Sequence, residues 1–354
     1  MTARPTFRDV LARGVVLPAC PLALTAGRKF DERRQRALCR YYAAAGAGGI
    51  AVGVHTTQFE IHDSAVGLYR PVLEVAAEEM ARAEAARPEP LVRIAGVIGR
   101  TEQALREALT ARALGYHAVL LGLGALADAS DDRLIDHCRA VAGVIPVMGF
   151  YLQPAAGGRV LTYGFWRRLA EIGNVVAVKI APFDRYRTID VVRAVAEAGR
   201  DDVALYTGND DAIVADLVTP YRFDVDGRVV ERRIVGGLLG HWAFWTSKAA
   251  DLLGRCHAVA AAGGDVPAAM LREAAEITDA NAAVFDAANG FAGCIPGIHE
   301  VLRRQGLLEG TWCLDPAAGL SPGQAREIDR VCRAYPHLAD DDFVAAHLDE
   351  WLRG

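Results

Sequence analysis

The sequence predicts a soluble α/β protein of the (β/α)8 TIM-barrel class with a C-terminal helical extension. Two observations carry this expectation. Eight short apolar runs rich in β-branched residues alternate with stretches of helical periodicity up to residue 262, and beyond that point only helical periodicity remains. A chain of 354 residues is long enough for one large barrel. The expected division is a barrel over residues 1–262 and an extension over 263–354 packed on it.

The runs are Gly14–Thr25, Gly48–Thr57, Leu91–Gly99, His117–Gly124, Ile145–Pro154, Val175–Pro182, Val203–Asn209 and Arg233–Gly240. Most are continuously apolar, the pattern of parallel strands covered on both faces. Between them lie the helical stretches Glu102–Leu114, Arg133–Ala142, Tyr163–Ile172 and Ile189–Ala198. Gly115, Gly143, Gly173 and Gly199 follow these stretches and are read as left-handed stops. Thr101, Ser130 and Thr188 are the expected N-caps. In the extension the expected helices are Pro267–Ala288, Pro296–Gln305, Pro322–Tyr335 and Asp340–Leu352. No GxGxxG follows the first run and no GxxxxGK[ST] occurs, which weighs against an open nucleotide-binding sheet.

Composition narrows the partners. A net charge of -5 gives no basic footprint for nucleic acid, so small molecules are the expected partners. Seven cysteines without a CxxC pair argue against a disulfide framework and for a reducing cytoplasm. The N-terminus has no basic-then-apolar signal, and no apolar run reaches the roughly 18 residues of a membrane span. Only three of the 39 basic residues are lysines: Lys29, Lys179 and Lys248. Each lysine therefore invites the question of what arginine could not do in its place.

Barrel enzymes carry their chemistry at the C-terminal ends of the strands. There, Lys179 stands alone in the apolar run Val175–Pro182. Desolvation would lower its pKa and expose a nucleophilic amine. The other reading is a structural cation paired with a carboxylate, but arginine could do that, and the scarcity of lysine favours the nucleophile. Tyr151, ending the fifth run, is read either as a proton carrier for a carbinolamine or as a half-buried phenol bonded locally. Thr56 and Thr57 are read as a carboxylate site built of hydroxyls and loop amides, or as ordinary strand residues.

Several motifs recur in order: Gly48-Gly49-Ile50, Gly53, Thr56-Thr57, Gly96, Thr101-Glu102, Tyr151 with Pro154, Val178-Lys179 and Gly208-Asn209-Asp210. With Asn281, Phe285 and Asn289-Gly290 in the extension, they make the chain resemble the dihydrodipicolinate synthase/N-acetylneuraminate lyase family of class I aldolases over about residues 14–305. The resemblance implies a Schiff base with pyruvate or a related small 2-oxo acid, no cofactor or metal, and a homo-oligomer, tetramer or dimer. By the same resemblance Lys179 forms the imine, Tyr151 carries the proton, and Thr56 with Thr57 binds the carboxylate. Gly208, Asn209 and the segment Gly236-Gly237-Leu238 would line the remaining wall.

The chain also departs from the family pattern. Members that make dihydrodipicolinate carry an arginine where this chain has Ala156, and Arg159 is out of register. The loop from Gly122 to Ala127 lacks their relay tyrosine, and His55-Thr56-Thr57-Gln58-Phe59-Glu60 replaces Gly-Thr-Thr-Gly-Glu. The expectation is a lyase or aldolase other than the lysine-biosynthesis enzyme, with His55 and His241, the latter beside Trp242, as replacement acid-base groups. Two alternatives stay open. One is metal-assisted aldol or hydrolytic chemistry through His55, Glu60, His62 and Asp63; the other is a non-catalytic oxo-acid-binding barrel.

Overall fold

The computed structural model describes residues 4–353, so Met1 to Ala3 of the N-terminal stretch lie outside the described residues. Its strands are β1 (Val16–Pro18), β2 (Gly49–Val52), β3 (Val92–Val97), β4 (Ala118–Leu121), β5 (Val147–Leu152), β6 (Val175–Ala181), β7 (Ala204–Thr207), β8 (Tyr221–Val225), β9 (Arg228–Arg232) and β10 (Ile234–Leu239). All except β8 and β9 form one parallel sheet in the order β1-β10-β7-β6-β5-β4-β3-β2. The remaining seam closes where Ala19 bridges Ala51, flanked by the bonds Gly48 N–H to Val16 O (3.0 Å) and Cys20 N–H to Ala51 O (2.9 Å). The molecule is therefore a TIM barrel, and each predicted run contains one of its eight strands.

Two apolar layers follow from strand alternation. Leu17, Ile94, Leu120, Met148, Phe150 and Leu238 fill the barrel interior, while Val147, Tyr151, Val178 and Ile180 face the surrounding helices. A register irregularity sits between β5 and β6: Val147 pairs with Val175 but Met148 pairs with Ala177. Past that point Phe150 pairs with Lys179 and Tyr151 with Ile180. The extra residue in β6 thus decides which side chains of the two strands share the interior.

The bottom of the barrel is closed by the helix Phe7–Arg13, which the sequence reading did not anticipate. Thr6 and Asp9 cap it reciprocally, and Val10 and Leu11 bury themselves in the interior layer. The Tyr206 hydroxyl donates to Leu11 O at 2.9 Å. The hairpin β8–β9 was also unanticipated. Its turn is Asp226-Gly227, both at positive φ, a hairpin signal flanked by partial alternation.

Three helix-start assignments are corrected in two places. Ser130 does cap its helix, accepting from Arg133 N–H at 3.5 Å. Thr101, however, is the first helical residue behind Arg100, and its hydroxyl meets His137 Nδ1 at 2.9 Å. Thr188 lies a turn inside the helix Arg185–Glu197, whose cap is Asp184. Gly115 and Gly199 are left-handed stops (φ 76° and 64°). Gly143 ends its helix at φ -68°, and Gly173 is not at positive φ.

The extension contributes the helices Ala268–Val284, Cys294–Arg304, Gln324–Ala334 and Asp341–Arg353. It is bound to the barrel by polar contacts as well as by a shared apolar layer. Tyr41 donates to Asp340 Oδ2 (2.8 Å), Leu314 N–H to Gln58 Oε1 (2.6 Å) and Asn281 Nδ2 to Asp210 O (2.7 Å). The last of these draws the extension to the end of β7. Among the described residues no helix is long and apolar enough to cross a membrane.

Candidate active site

Lys179 is the fifth residue of β6, after the irregularity has turned positions 177, 179 and 181 inward. Its side chain is only 8% exposed, and Nζ lies 4.5 Å from the centroid of the Phe150 ring on the paired strand. On the other side is Gly208, where a Cβ would fall 2.6 Å from Lys179 Cε and 2.7 Å from Ala181 Cβ. Glycine is required there because the lysine stem occupies the space a side chain would take. Burial pushes the amine down to about 8, opposed by the charge of Asp210.

Asp210 follows β7 by three residues and is 9% exposed. Its Oδ1 accepts from His241 N–H at 2.9 Å, and burial raises its carboxyl while that bond and the Lys179 charge pull it back. The two groups interact across a cavity without forming an ion pair. That cavity, about 600 Å³ including its mouth, opens at the C-terminal end of the strands. Among the described residues Lys179 is therefore a buried amine with no carboxylate in direct contact, and a titratable acid lines the same cavity.

His55 and Thr56 form the adjoining wall. Burial first, and the Lys179 charge second, push His55 down to about 4, so its imidazole is neutral at neutral pH. The hydroxyl of Thr56 donates to Ala19 O (2.7 Å) and that of Thr57 to Cys20 O (2.6 Å); Thr57 also accepts from Gly53 N–H (3.0 Å). Thr57 therefore fastens the loop after β2 to the loop after β1, and only Thr56 reaches the cavity. The short turn His55–Thr57 opens with amides that have no partner inside it, which leaves donors for a carboxylate.

The far wall is apolar. Phe183 and Phe291 face each other with ring centroids 5.9 Å apart, and both are held at positive φ (51° and 69°). For a bulky side chain this costs on the order of 1–3 kcal/mol and persists only when the surroundings over-determine it. Phe183 N–H is fixed by Asn209 Oδ1 (3.0 Å), and Phe291 N–H by Asp286 O (3.0 Å).

The sequence profile of the Dihydrodipicolinate synthetase family matches residues 16–220, more than half the chain and including Lys179. The chain belongs to this family. Its members are class I aldolases and lyases. No curated protein sequence matches the chain. Among solved structures, dihydrodipicolinate synthase from Cyanidioschyzon merolae with lysine bound is 21% identical (TM-score 0.71; 92% of this chain, 99% of that one). The chloride-inhibited synthase from Acinetobacter baumannii complexed with pyruvate is 17% identical (TM-score 0.70; 91% and 98%). N-acetylneuraminate lyase from Mycoplasma synoviae is 14% identical (TM-score 0.66; 91% and 98%). At such identities these likenesses establish the fold.

Against this family background, the structure gathers some predicted site residues and separates others. Lys179, Thr56, His55 and Gly208 line the cavity. Tyr151 does not. Its register partner is Ile180, so it faces outward, stacks on Trp166 at 5.3 Å, and spends its hydroxyl on the backbone of Leu161 (3.3 Å). Phe150 holds the inward place opposite the lysine, so no phenol reaches the amine from β5. Asn209 also lies outside the lining. It bonds Thr188, Asp216 and Phe183, which makes it the clamp of the loop after β6.

Gly237 backs onto Trp242, where a Cβ would lie 2.6 Å from the indole, and Leu238 packs in the barrel interior; Gly240, not either of these, reaches the cavity. His241 offers the site only its backbone N–H. Its ring sits edge-on to Phe244 (5.0 Å, 84°) in a separate recess, where burial pushes it to about 4. Arg159 binds the carbonyls of Leu126 and Ala129 and does not enter the cavity.

The residues once open to a metal reading are also dispersed. His62 bonds Gly53 O (2.8 Å) through Nε2 and lies 3.0 Å from Glu107 through Nδ1. Among the described residues no cluster of three or more His, Cys, Asp or Glu has metal-holding geometry. Phe150, Phe183, Phe291 and Asp210 line the cavity without having been expected there, although Asp210 belongs to the Gly208-Asn209-Asp210 motif. A period of two along the end of β7 would have put positions 208 and 210 on one side.

Proposed function

We propose that the protein is a Schiff-base lyase or aldolase acting on pyruvate or a related small 2-oxo acid, with Lys179 as nucleophile and Asp210 as its proton carrier. The observation that carries this reading is the buried amine of Lys179, free of an ion pair and facing a carboxyl across an otherwise largely apolar cavity.

The neutral amine adds to the ketone carbon and gives a carbinolamine. Protonated Asp210 delivers its proton to the departing hydroxyl, water leaves, and the imine forms. The resulting carboxylate then takes a proton from the carbon next to the imine, generating an enamine. The substrate carboxylate lies against the amides of His55 and Thr56 at the start of the turn. The productive state, amine plus acid, carries the same number of protons as ammonium plus carboxylate, so it holds a constant share between the pair's two titrations. With Phe150 in place of a phenol, this pair replaces the tyrosine expected from the family pattern.

Ala156 on the cavity wall, with Arg159 committed elsewhere, supports a reaction other than dihydrodipicolinate synthesis. Seven unpaired cysteines support work in a reducing cytoplasm.

Intact mass after incubation with pyruvate and borohydride tests the imine. A ligand-sized gain is expected in the native chain and none in Lys179→Met, which fills the same space without an amine. Absence of any adduct, with pyruvate and a panel of other 2-oxo acids, would remove this reading in favour of a barrel that only binds.

A further inference from the structure

The cavity lining divides into a few polar side chains and a larger apolar set. Beside Lys179, the polar lining includes His55, Thr56, Gln153 and Asp210; the apolar lining includes Val54, Leu152, Phe183, Phe285, Phe291 and Ile298. The chain holds 36 arginines, counting 39 basic residues less three lysines, yet Lys179 is the only lysine or arginine among the residues lining this cavity. His55 is neutral at neutral pH. The lining therefore supplies one cation, beside which one carboxylate can be held, and no cation for a second. A second carboxylate in the cavity would be desolvated without a cationic partner and would face the charge of Asp210 besides.

A polyhydroxylated tail fares no better. Gln153 is the one side chain of the lining with full amide hydrogen-bonding capacity, and most hydroxyls of such a tail would be left unpaired against phenylalanine and aliphatic groups.

We infer that the second substrate, or the cleaved fragment, is an apolar and preferably aromatic aldehyde, and that Phe183 and Phe291 are its specificity-determining residues. This rests on the Schiff-base reading and deepens it. Two bulky residues held in left-handed backbone, with packed rings 5.9 Å apart on the cavity lining, form a wall that is fixed at a conformational cost and not left as incidental packing. One ring comes from the loop after β6, next to the nucleophile's own strand, and the other from the extension, and both line the cavity that holds the amine.

The reaction balances without an added oxidant or reductant. The enamine carbon forms a C–C bond to the aldehyde carbon, the C=O electron pair becomes an alkoxide that takes the proton held on Asp210, and water hydrolyses the imine. The product is a 4-hydroxy-2-oxo acid with an apolar substituent, and the amine is regenerated. Cleavage runs the same steps in reverse.

The experiment supplies pyruvate with benzaldehyde, glyceraldehyde or succinic semialdehyde, follows C–C product by mass, and traps pyruvate with borohydride in parallel. The expected result is a trapped imine and a kcat/KM for benzaldehyde at least about tenfold above either polar aldehyde. In Phe291→Arg the ratio of succinic semialdehyde to benzaldehyde should rise by about tenfold or more, while Phe291→Leu should keep the apolar preference. Because each ratio is read within one protein sample, loss of folded material does not imitate the effect. A polar aldehyde preferred by an enzyme that still traps pyruvate would overturn this inference and leave the imine standing. No trapped imine would overturn both.

Discussion

The two walls of the cavity are built by different means. The reacting wall comes from strand ends: Lys179 on β6, then Gly208 and Asp210 just after β7, positioned by ladder register and by Gly208 N–H bonding Ile180 O at 2.7 Å. The facing wall comes from loops and the extension: Phe183 and Phe291 sit on strained backbone, Phe183 clamped by Asn209, while Phe285 and Ile298 are carried by helices of the extension. Sheet register holds a nucleophile to a fraction of an ångström with no special residues beyond one glycine. A loop wall can change its side chains without disturbing that register, which is how one barrel hosts many reactions. The profile match to residues 16–220 covers the first wall and ends before Phe285, Phe291 and Ile298 of the second.

Substitutions can break this contrast at chosen points. The largest effect after loss of the lysine itself is expected from Asp210→Asn, which leaves the shape and removes the acid: kcat should fall on the order of 10²–10⁴-fold. The pH profile supplies a second readout. In the native protein, activity should be bell-shaped, with limbs set by the pair near about 7 and about 8. Below both the amine is protonated, and above both the acid has lost its proton. Asp210 raises the Lys179 pKa, so its replacement should move the amine's titration to lower pH, carrying the acidic limb of residual activity with it. An unmoved limb would detach Asp210 from the amine.

Gly208→Ala should come next. The new methyl would overlap Lys179 Cε, and displacing a nucleophile by about an ångström costs on the order of 10²-fold in kcat/KM. Steady-state kinetics on a variant with native circular dichroism checks this, and near-native kinetics would show that the stem of Lys179 is mobile.

Asn209→Ala should act mainly on the other wall. It strips partners from Phe183 N–H, Thr188 and Asp216 in a buried site, costing about 1–3 kcal/mol in urea unfolding. With the Phe183 turn released, aldehyde selectivity should relax more than pyruvate trapping does. Equal losses in both would mean that Asn209 supports the whole site and not one wall.

The same contrast explains what could be read from the residues. Strands buried on both faces print themselves as apolar runs, so all eight were visible, as were the four helices of the extension. The helix Phe7–Arg13 was hidden because its seven residues are too short for a clear period. Hairpin β8–β9 alternates only partly, with one face of its burial pattern incomplete. Lys179 stood out because a lone lysine in an apolar strand has few structural uses.

Tyr151 was misplaced because facing is a relation between two strands, and the irregularity at Val147/Met148 that sets it leaves no mark in either one. His241 failed differently: it lies past the end of β10 in a short turn, where strand alternation no longer governs direction. Phe183 and Phe291 were invisible because nothing in a phenylalanine announces positive φ.

The helix that plugs the barrel floor has a kinetic consequence. With Val10, Leu11 and Tyr206 packed across the barrel floor, the cavity that holds Lys179 lies at the C-terminal end of the strands, where Phe183 and Phe291 also line it. For the reaction proposed, the oxo-acid must arrive before the aldehyde. An aldehyde that enters an empty chamber blocks the path to the amine, so excess aldehyde should inhibit in competition with pyruvate, and the order of arrival is written into the architecture as a queue.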